Sequence, residues 1–427
     1  MWKKLKKSLS IFGPGVVTGA ADDDPSGIAT YSQAGAQFGA SVLWLNLAML
    51  PFQAGVQEAC ARIGAVTGRG IADVIKRNYS KRVLYIAVVL VLLANTVNIG
   101  ADIGAMAEAL NMVIPLPMTV WMLLLTAFIL FLEIFVSYKN YAKMLKWFAL
   151  SLLLYPLTLL LVINGNGAML IDGTFTPRIV WSFPFLFIVT GVIGTTISPY
   201  MFFWQAAEEI EDEKASHLWR RVLRPKIGMK FIKRLRIDNM TGMFMSGFAA
   251  WAIMALSAIV LFPNGIQDIK TAADAAKALE PLVAAFPNAG FLAKVLFASG
   301  IISLGFLSIP VLSGSAAYAL SEAFGWREGL SLKLNKARGF YGAITISTLV
   351  GLCINYIGLD PMKALVYTAV LNAIVAVPLL FLIARIAQDK KIMGKYKSGW
   401  ISQSLLWLTF GIMLLAGLGT LITLVIG

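Results

Sequence analysis

Three consecutive aspartates, Asp22, Asp23 and Asp24, stand in a run of small and apolar residues that is long enough to cross a membrane. One aspartate near the centre of a membrane helix costs roughly 2.5–3.5 kcal/mol, so an uncompensated trio would cost about 8–10 kcal/mol. Pro25 removes a backbone donor and Gly27 permits unusual dihedral angles, so the helix is predicted to break here. Because unwound backbone at this depth must be buried in protein or line a wet cavity, the stretch predicts a site where carboxylates and freed carbonyl groups face a hard cation.

A second interrupted helix is predicted further along the chain. Between Gly191 and Tyr200, the residues Thr195, Ser198 and Pro199 fall inside an otherwise apolar helix. Two interrupted segments at corresponding positions are the sequence pointer to an inverted repeat with a site near the membrane midplane. One proline kink would be unremarkable in a membrane helix, but two kinks five spans apart, one of them with three acids, favour a shared site.

The rest of the chain supplies the helices that must position these breaks. Of its 427 residues, 58% are hydrophobic and only 14% are charged. Apolar stretches long enough to span a bilayer recur along the whole length, which predicts an all-α polytopic membrane protein. Eleven spans are predicted, near residues 11–39, 41–64, 82–110, 118–138, 141–163, 182–213, 237–262, 289–322, 339–357, 361–387 and 401–426.

These spans divide into an inverted five-plus-five repeat and one additional helix. Residues 1–163 form the first repeat, residues 164–400 the second, and residues 401–427 the eleventh span. Five spans are an odd number, so the second repeat is inserted upside down relative to the first, as this architecture requires.

The positive charge of the chain is explained by membrane topology and not by nucleic-acid binding. Of 36 Lys and Arg residues, five fall on one side of the predicted membrane and the remaining 31 on the other or at span ends. Under the positive-inside rule this places the N-terminus in the cytoplasm and the C-terminus outside, in a bacterial inner membrane. The basic run from Lys214 to Arg236 is an ordinary cytoplasmic loop or an amphipathic helix on anionic lipid. Nothing in the sequence indicates an oligomeric state.

Several further polar residues fall inside predicted spans. Asn98 and Asp102 lie on neighbouring turns of one face of span three, and Glu58 and Glu133 lie in spans two and four. Asn372 stands in the apolar span ten, where it lines the cavity or forms an interhelical hydrogen bond.

Four segments resemble one known family. Gly13-Pro14-Gly15, Asp24-Pro25-Ser26-Gly27, Gln33-Ala34-Gly35-Ala36 and the run from Arg62 to Gly68 resemble the first two helices of the natural resistance-associated macrophage proteins (Nramp). The resemblance covers nearly all of the chain in order and spacing. It implies a LeuT-like fold with helices one and six broken, and divalent-metal transport, with the metal as substrate and no cofactor.

The candidate site departs from the family pattern at its ligands. Where the family has Asp-Pro-Gly-Asn in helix one, Asp24 matches the aspartate, but Gly27 replaces the amide ligand. Where helix six has Met-Pro-His, this chain has Ser198 and Tyr200, so both the thioether and the histidine are missing. The resemblance places the metal-contacting carbonyls of the family on Ala21 and Thr195.

Three other family positions on helices three and six also differ in this chain. The helix-three glutamate of the family matches Asp102, an aspartate implicated in proton movement matches Ile99, and a second helix-six histidine matches Gln205. This pattern resembles the Nramp-related magnesium transporters. The only histidine, His217, lies in a loop, so no imidazole relay is expected, although a relay through Asp24 and Asp102 stays open.

The loss of soft ligands favours a hard ion on physical grounds. A thioether selects against Mg²⁺ and Ca²⁺, and Gly27 and Ser198 shorten two side chains, which makes room for an ion that keeps several waters. Asp22 and Asp23 add negative charge, and Tyr200, Gln205 and Asn372 are further cavity candidates. We therefore predict Mg²⁺ uptake by alternating access without proton coupling, with Mn²⁺ also carried.

Three other functions are alternatives to this prediction. A proton-coupled Mn²⁺/Fe²⁺ importer with a reorganised site is the main alternative. A sodium-coupled amino-acid carrier would place a substrate carboxylate beside three aspartates, which would repel it. An intramembrane aspartyl hydrolase with Asp24 and Asp102 as its dyad lacks any supporting flanking sequence.

Overall fold

The computed structural model describes residues 14–136, 149–215 and 228–426. The basic N-terminal segment, His217, the first part of the predicted fifth span and the middle of the basic run after Lys214 lie outside these residues. The described residues form α-helices joined by short 3₁₀ turns and loops. These helices are α1 Pro14–Asp22, α2 Pro25–Phe38, α3 Trp44–Thr67, α4 Ile71–Asn78, α5 Lys81–Val113, α6 Met118–Phe135, α7 Leu154–Val162, α8 Gly167–Phe175, α9 Phe183–Thr196, α10 Pro199–Ala215, α11 Met229–Val260, α12 Ala272–Ala276, α13 Glu280–Val283, α14 Ala289–Phe324, α15 Arg338–Ile354, α16 Pro361–Gln388, α17 Lys390–Met393 and α18 Trp400–Ile426.

The helices have the length and composition of a multi-pass membrane protein. Within the described ranges, eight helices are long and apolar enough to cross a bilayer, or nine if the segments 25–42 and 44–67, which are bent by 109°, count as one span. Large apolar side chains such as Leu124, Phe128 and Phe131 are exposed on α6, as expected for a surface that faces lipid. The all-α class is confirmed, whereas the count of eleven spans stays a prediction.

Both predicted helix breaks are confirmed. The helix α1 ends at Asp22, and Asp24 adopts an extended conformation (φ −72°, ψ 174°) before Pro25 starts α2. The helix α9 ends at Thr196, and Pro199 starts α10 after an irregular Ile197. In both cases proline occupies the first helical position, where its missing N–H breaks no helical hydrogen bond.

Glycines let each broken helix approach a neighbouring backbone closely. A Cβ added to Gly35 in α2 would lie 2.2 Å from the carbonyl oxygen of Met254 in α11. A Cβ added to Gly194 in α9 would lie 2.0 Å from the carbonyl oxygen of Ala369 in α16. Since no real side chain tolerates such distances, these two glycines fix how closely the broken helices pack against α11 and α16.

A buried ionic cluster joins α18 to the rest of the bundle near the end of α3. The guanidinium of Arg62 lies 3.1 Å from the Glu58 carboxylate and donates to the hydroxyls of Ser398 (2.8 Å) and Ser402 (3.1 Å). Arg236 of α11 approaches the other oxygen of Glu58 at 3.3 Å. Glu58, one of the intramembrane acids singled out in the sequence, is therefore paired inside the protein.

Candidate cation site

The two helix breaks meet in the interior of the protein. The hydroxyl of Tyr200, at the start of α10, donates to the carbonyl oxygen of Ala21 in α1 at 3.1 Å. The hydroxyl of Tyr31 in α2 lies 3.0 Å from the Thr196 hydroxyl, which itself donates to the Val192 carbonyl, so Tyr31 is the donor of that pair. The predicted juxtaposition of the breaks is confirmed.

Asp24 is both the central carboxylate of the site and the N-terminal cap of α2. Its Oδ1 accepts from the Ser26 hydroxyl (2.6 Å) and the Gly27 N–H (2.8 Å), which are orphan groups of the first helical turn. Its Oδ2 accepts from the Asn98 amide of α5 at 2.8 Å. Asp24 is only 1% exposed, so these donors and the positive end of the α2 dipole take the place of solvent around its charge.

The two carbonyl groups that the family resemblance assigns to the metal both accept hydrogen bonds from hydroxyls of this chain. Ser198 donates to the carbonyl oxygen of Thr195 at 2.9 Å, in a bond shared with Gly194. Tyr200 donates to Ala21, as described above. The two donors stand at the positions where the family has methionine and histidine, so the side chains that replace the soft ligands partly satisfy the carbonyls.

Gly27 faces the same space. A Cβ added there would lie 3.3 Å from the Thr195 hydroxyl and from the Tyr31 ring, and 3.6 Å from Asp24 Oδ1. A longer side chain at this position would therefore enter the region between Asp24 and Thr195. In the described part of the chain, the Thr195 hydroxyl oxygen has no hydrogen-bond partner, which leaves one oxygen ligand free there.

Asp22 and Asp23 point to a different set of partners. Oδ2 of Asp22 accepts from the Ser246 hydroxyl of α11 at 2.6 Å and from the Gln53 amide of α3. Oδ1 of Asp23 lies 3.5 Å from the same hydroxyl. The three adjacent acids thus divide between two neighbouring groups, Asp24 with α5 and the other two with α3 and α11.

The remaining cavity candidates, Asp102, Gln205 and Asn372, are also buried. Asp102 accepts from the Ser308 hydroxyl of α14 at 2.9 Å, and Gln205 donates to Glu209 at 3.2 Å. Asn372 is 1% exposed in α16, and over the residues that the structure covers its amide nitrogen has no partner. Neither the Asp102 nor the Gln205 hydrogen bond reaches the aspartate cluster directly.

The chemistry of the site is that of a single carboxylate with neutral oxygen ligands. Among the residues in the described ranges, no three His, Cys, Asp or Glu side chains are arranged to hold a metal ion together. No Lys or Arg in those ranges forms an ion pair with Asp22, Asp23 or Asp24. One buried carboxylate with hydroxyl, amide and carbonyl groups fits an ion that retains water better than a fully stripped, soft-ligated one.

Sequence reasoning singled out most of these residues but not all of their neighbours. Tyr31, Gln53 and Ser246, which contact the two breaks, did not stand out. A usable signal existed for one of them, because Gln53 and Gln57 lie one helical turn apart on one face of an apolar span. Ser246 carries no comparable signal, since single serines are frequent in membrane helices.

Comparison with known proteins places the chain in a family. Residues 15–423 match the natural resistance-associated macrophage protein-like family. The divalent metal cation transporter MntH of Klebsiella pneumoniae subsp. pneumoniae is 26% identical over 401 residues, which cover 91% of this chain and 88% of that protein.

Similar folds occur among solved structures. A crystal structure of the manganese transporter of Eremococcus coleocola in complex with an aromatic bis-isothiourea compound superimposes with a TM-score of 0.74 at 18% identity, over 99% of this chain and 87% of that one. Mhp1, a nucleobase-cation-symport-1 family transporter in a closed conformation, gives a TM-score of 0.61 at 15% identity, over 96% and 90% of the two chains. The fold is therefore LeuT-like, and the chain belongs to the natural resistance-associated macrophage protein (Nramp) family, a family of membrane transporters and not of enzymes.

Proposed function

We propose that this chain carries divalent metal cations across a bacterial inner membrane and that Mg²⁺ is its principal substrate, with Mn²⁺ also carried. One observation supports Mg²⁺ as the substrate: the hydroxyls of Ser198 and Tyr200 donate hydrogen bonds to the carbonyl oxygens of Thr195 and Ala21. An ion without bound water would need these carbonyls as direct ligands, and each hydroxyl donor occupies one of the two carbonyl lone pairs. An ion that keeps several waters does not need them, because its waters donate to the carboxylate and to the free lone pairs around it.

Asp24 is the residue assigned to bind the substrate in this proposal. Its carboxylate supplies the charge, and the oxygens of Thr195, Ala21 and Ser198 supply acceptors for the water shell of the ion. Gly27 leaves the space between Asp24 and Thr195 free of a longer side chain. The oxygen-only set also suits Mn²⁺, which is why Mn²⁺ is expected to permeate.

Transport is proposed to run by alternating access, driven by the membrane potential. The repeats 1–163 and 164–400 would rock against each other around the two breaks, with 401–427 outside the repeats. An inward-negative potential of 100 mV favours entry of a divalent cation by about 4–5 kcal/mol, from roughly 2.3 kcal/mol per charge. This is enough for accumulation without a coupled proton. The proposed orientation has the N-terminus inside and the C-terminus outside.

Reconstituted proteoliposomes test the proposal. We expect Mg²⁺ uptake that rises with an inward-negative potential, competition by Mn²⁺, and no acidification of the lumen during uptake. Asp24→Asn should abolish uptake, whereas Asp172→Asn, which removes an exposed carboxylate paired with Arg178, should not. Mn²⁺ uptake with acidification and no Mg²⁺ uptake would reject the proposal and support the rival, a proton-coupled Mn²⁺/Fe²⁺ importer.

A further inference from the structure

We infer that a second cation site lies beside the Asp24 site, between α1, α3 and α11, formed by Asp22, Asp23, Gln53, Gln57 and Ser246. Its ligand is a hard divalent cation of the Mg²⁺ class. The inference adds a site to the proposed transport pathway and relies on the proposed function only for the identity of the ion.

The first observation is that several buried polar atoms in this region have no partner. Within the described residues, these atoms are Oδ1 of Asp22, Oδ2 of Asp23, Oε1 of Gln53 and both side-chain heteroatoms of Gln57. Asp22, Asp23 and Gln57 are 0% exposed and Gln53 is 1% exposed. Buried polar groups in native proteins are almost always hydrogen-bonded, so a cluster of unsatisfied ones indicates a missing ligand or water.

The second observation concerns charge. Two adjacent carboxylates are buried together, and among the described residues their hydrogen-bond donors are the neutral side chains of Ser246 and Gln53. No Lys or Arg in the described ranges pairs with either acid. A divalent cation would balance both charges at once, whereas water would leave them in mutual repulsion.

Further polar groups extend from the proposed site along α1. Gln57 lies one turn beyond Gln53 on the same face of α3. Thr18, one turn before Asp22 in α1, is 0% exposed, and its hydroxyl has no partner in the part of the chain covered by the structure. One further turn back, the Gly15 N–H donates to Asp238 of α11 at 2.7 Å. The polar groups therefore continue from Asp22 towards the first residues of α1, which the proposed orientation puts on the cytoplasmic side.

Calorimetric titration of the full chain in nanodiscs with Mg²⁺ tests the inference. We expect two ions per chain. Asp22→Asn, which retains an oxygen acceptor for Ser246 and Gln53, should remove or weaken one of them by about tenfold or more and leave the other. Asp24→Asn should have the converse effect. A single ion per chain whose affinity is unaltered by Asp22→Asn would overturn the inference.

Gln57→Met separates a cation site from a structural role. If Gln57 contacts the ion, this near-isosteric change lowers Mg²⁺ affinity at one of the two sites while thermal stability in Mg²⁺-free buffer is unchanged or raised, because a buried amide without a partner has been removed. Reduced stability with unaltered Mg²⁺ binding would mean that Gln57 only packs or binds water, which refutes the site. If Mg²⁺ uptake persists but only one ion binds per chain, the second site is refuted and the proposed transport function stands. If no Mg²⁺ binds at all, the proposed function fails as well.

Discussion

Asp24→Asn separates the two roles of the central carboxylate. In the wild type, Asp24 Oδ1 caps α2 through Ser26 and Gly27, and Oδ2 accepts from Asn98. An asparagine keeps one oxygen, and Asn and Asp are equally good N-terminal caps. The new amide nitrogen would face the Asn98 amide nitrogen, but a flip of Asn98 presents its Oδ1, which has no partner within the described residues. We therefore expect a loss of folding stability of about 1 kcal/mol or less.

The effect on ion binding should be much larger. A divalent cation about 4 Å from one carboxylate, a distance that allows an intervening water, is attracted by about 8 kcal/mol at an effective dielectric constant near 20. Desolvation of ion and carboxylate offsets most of this attraction. If a net 2–3 kcal/mol remains, loss of the charge weakens Mg²⁺ binding at this site by about 30- to 150-fold.

Two comparisons make the experiment decisive. Asp24→Ala should bind Mg²⁺ as weakly as Asp24→Asn but should also be less stable by about 1–2 kcal/mol, because it removes the cap and leaves the Asn98 amide without its acceptor. The double variant Asp24→Asn/Asn98→Asp moves the charge across one 2.8 Å hydrogen bond and should recover part of the affinity. Mg²⁺ affinity at this site of Asp24→Asn within about threefold of the wild type would refute the assignment of Asp24 as the principal ligand.

Three further predictions follow from other parts of the structure. Ser198→Met should raise Mn²⁺ affinity relative to Mg²⁺ by about tenfold in competition binding, because it adds a soft ligand and removes the donor to the Thr195 carbonyl; an unchanged ratio would argue against a ligand position at 198. Arg62→Met should lower the free energy of unfolding by about 3 kcal/mol, because it leaves the buried Glu58 with a single exposed cationic partner, and the added change Glu58→Gln should recover part of the loss in thermal melts. Burial raises the pKa of Glu328, in the loop after α14, to about 8. The folding stability linked to its protonated carboxyl is therefore fully present below about pH 4.5 and is lost as the pH rises through 8. The melting temperature of Glu328→Gln should rise relative to that of the wild type between pH 5 and 8.5; a constant difference between the two would contradict this.

The sequence was sufficient for the elements that local chemistry determines. Asp24-Pro25 and Ser198-Pro199 terminate and restart helices by the same rules in any context, so both breaks were predictable. The long apolar runs predicted the spans by their length and composition. The helix α11 begins at Met229, earlier than the predicted 237, because its basic first turns continue the helix beyond the apolar run.

The partners of the side chains were not predictable in the same way. The sequence of three adjacent aspartates does not predict that Asp24 accepts a hydrogen bond from α5 and Asp22 one from α11. These partners depend on how helices that are distant in the chain pack together. Ser198 and Tyr200 were expected to enlarge the site and to line its cavity. In the structure they also donate to carbonyl groups, since a buried hydroxyl must find an acceptor. The assignment of Ala21, Gly27, Thr195 and Ser198 to the ion remains a prediction that binding experiments must test.

The capping of α2 by Asp24 bears on how an unloaded carrier resets. A carrier that returns without its ion must move the ion-binding carboxylate through the membrane interior. A charged carboxylate is costly there, and a proton would neutralise it. Here the Ser26 hydroxyl, the Gly27 N–H and the start of α2 contact that carboxylate. In the proposed cycle, we expect these donors to stabilise the carboxylate after the ion has left, so that the return step proceeds without a proton.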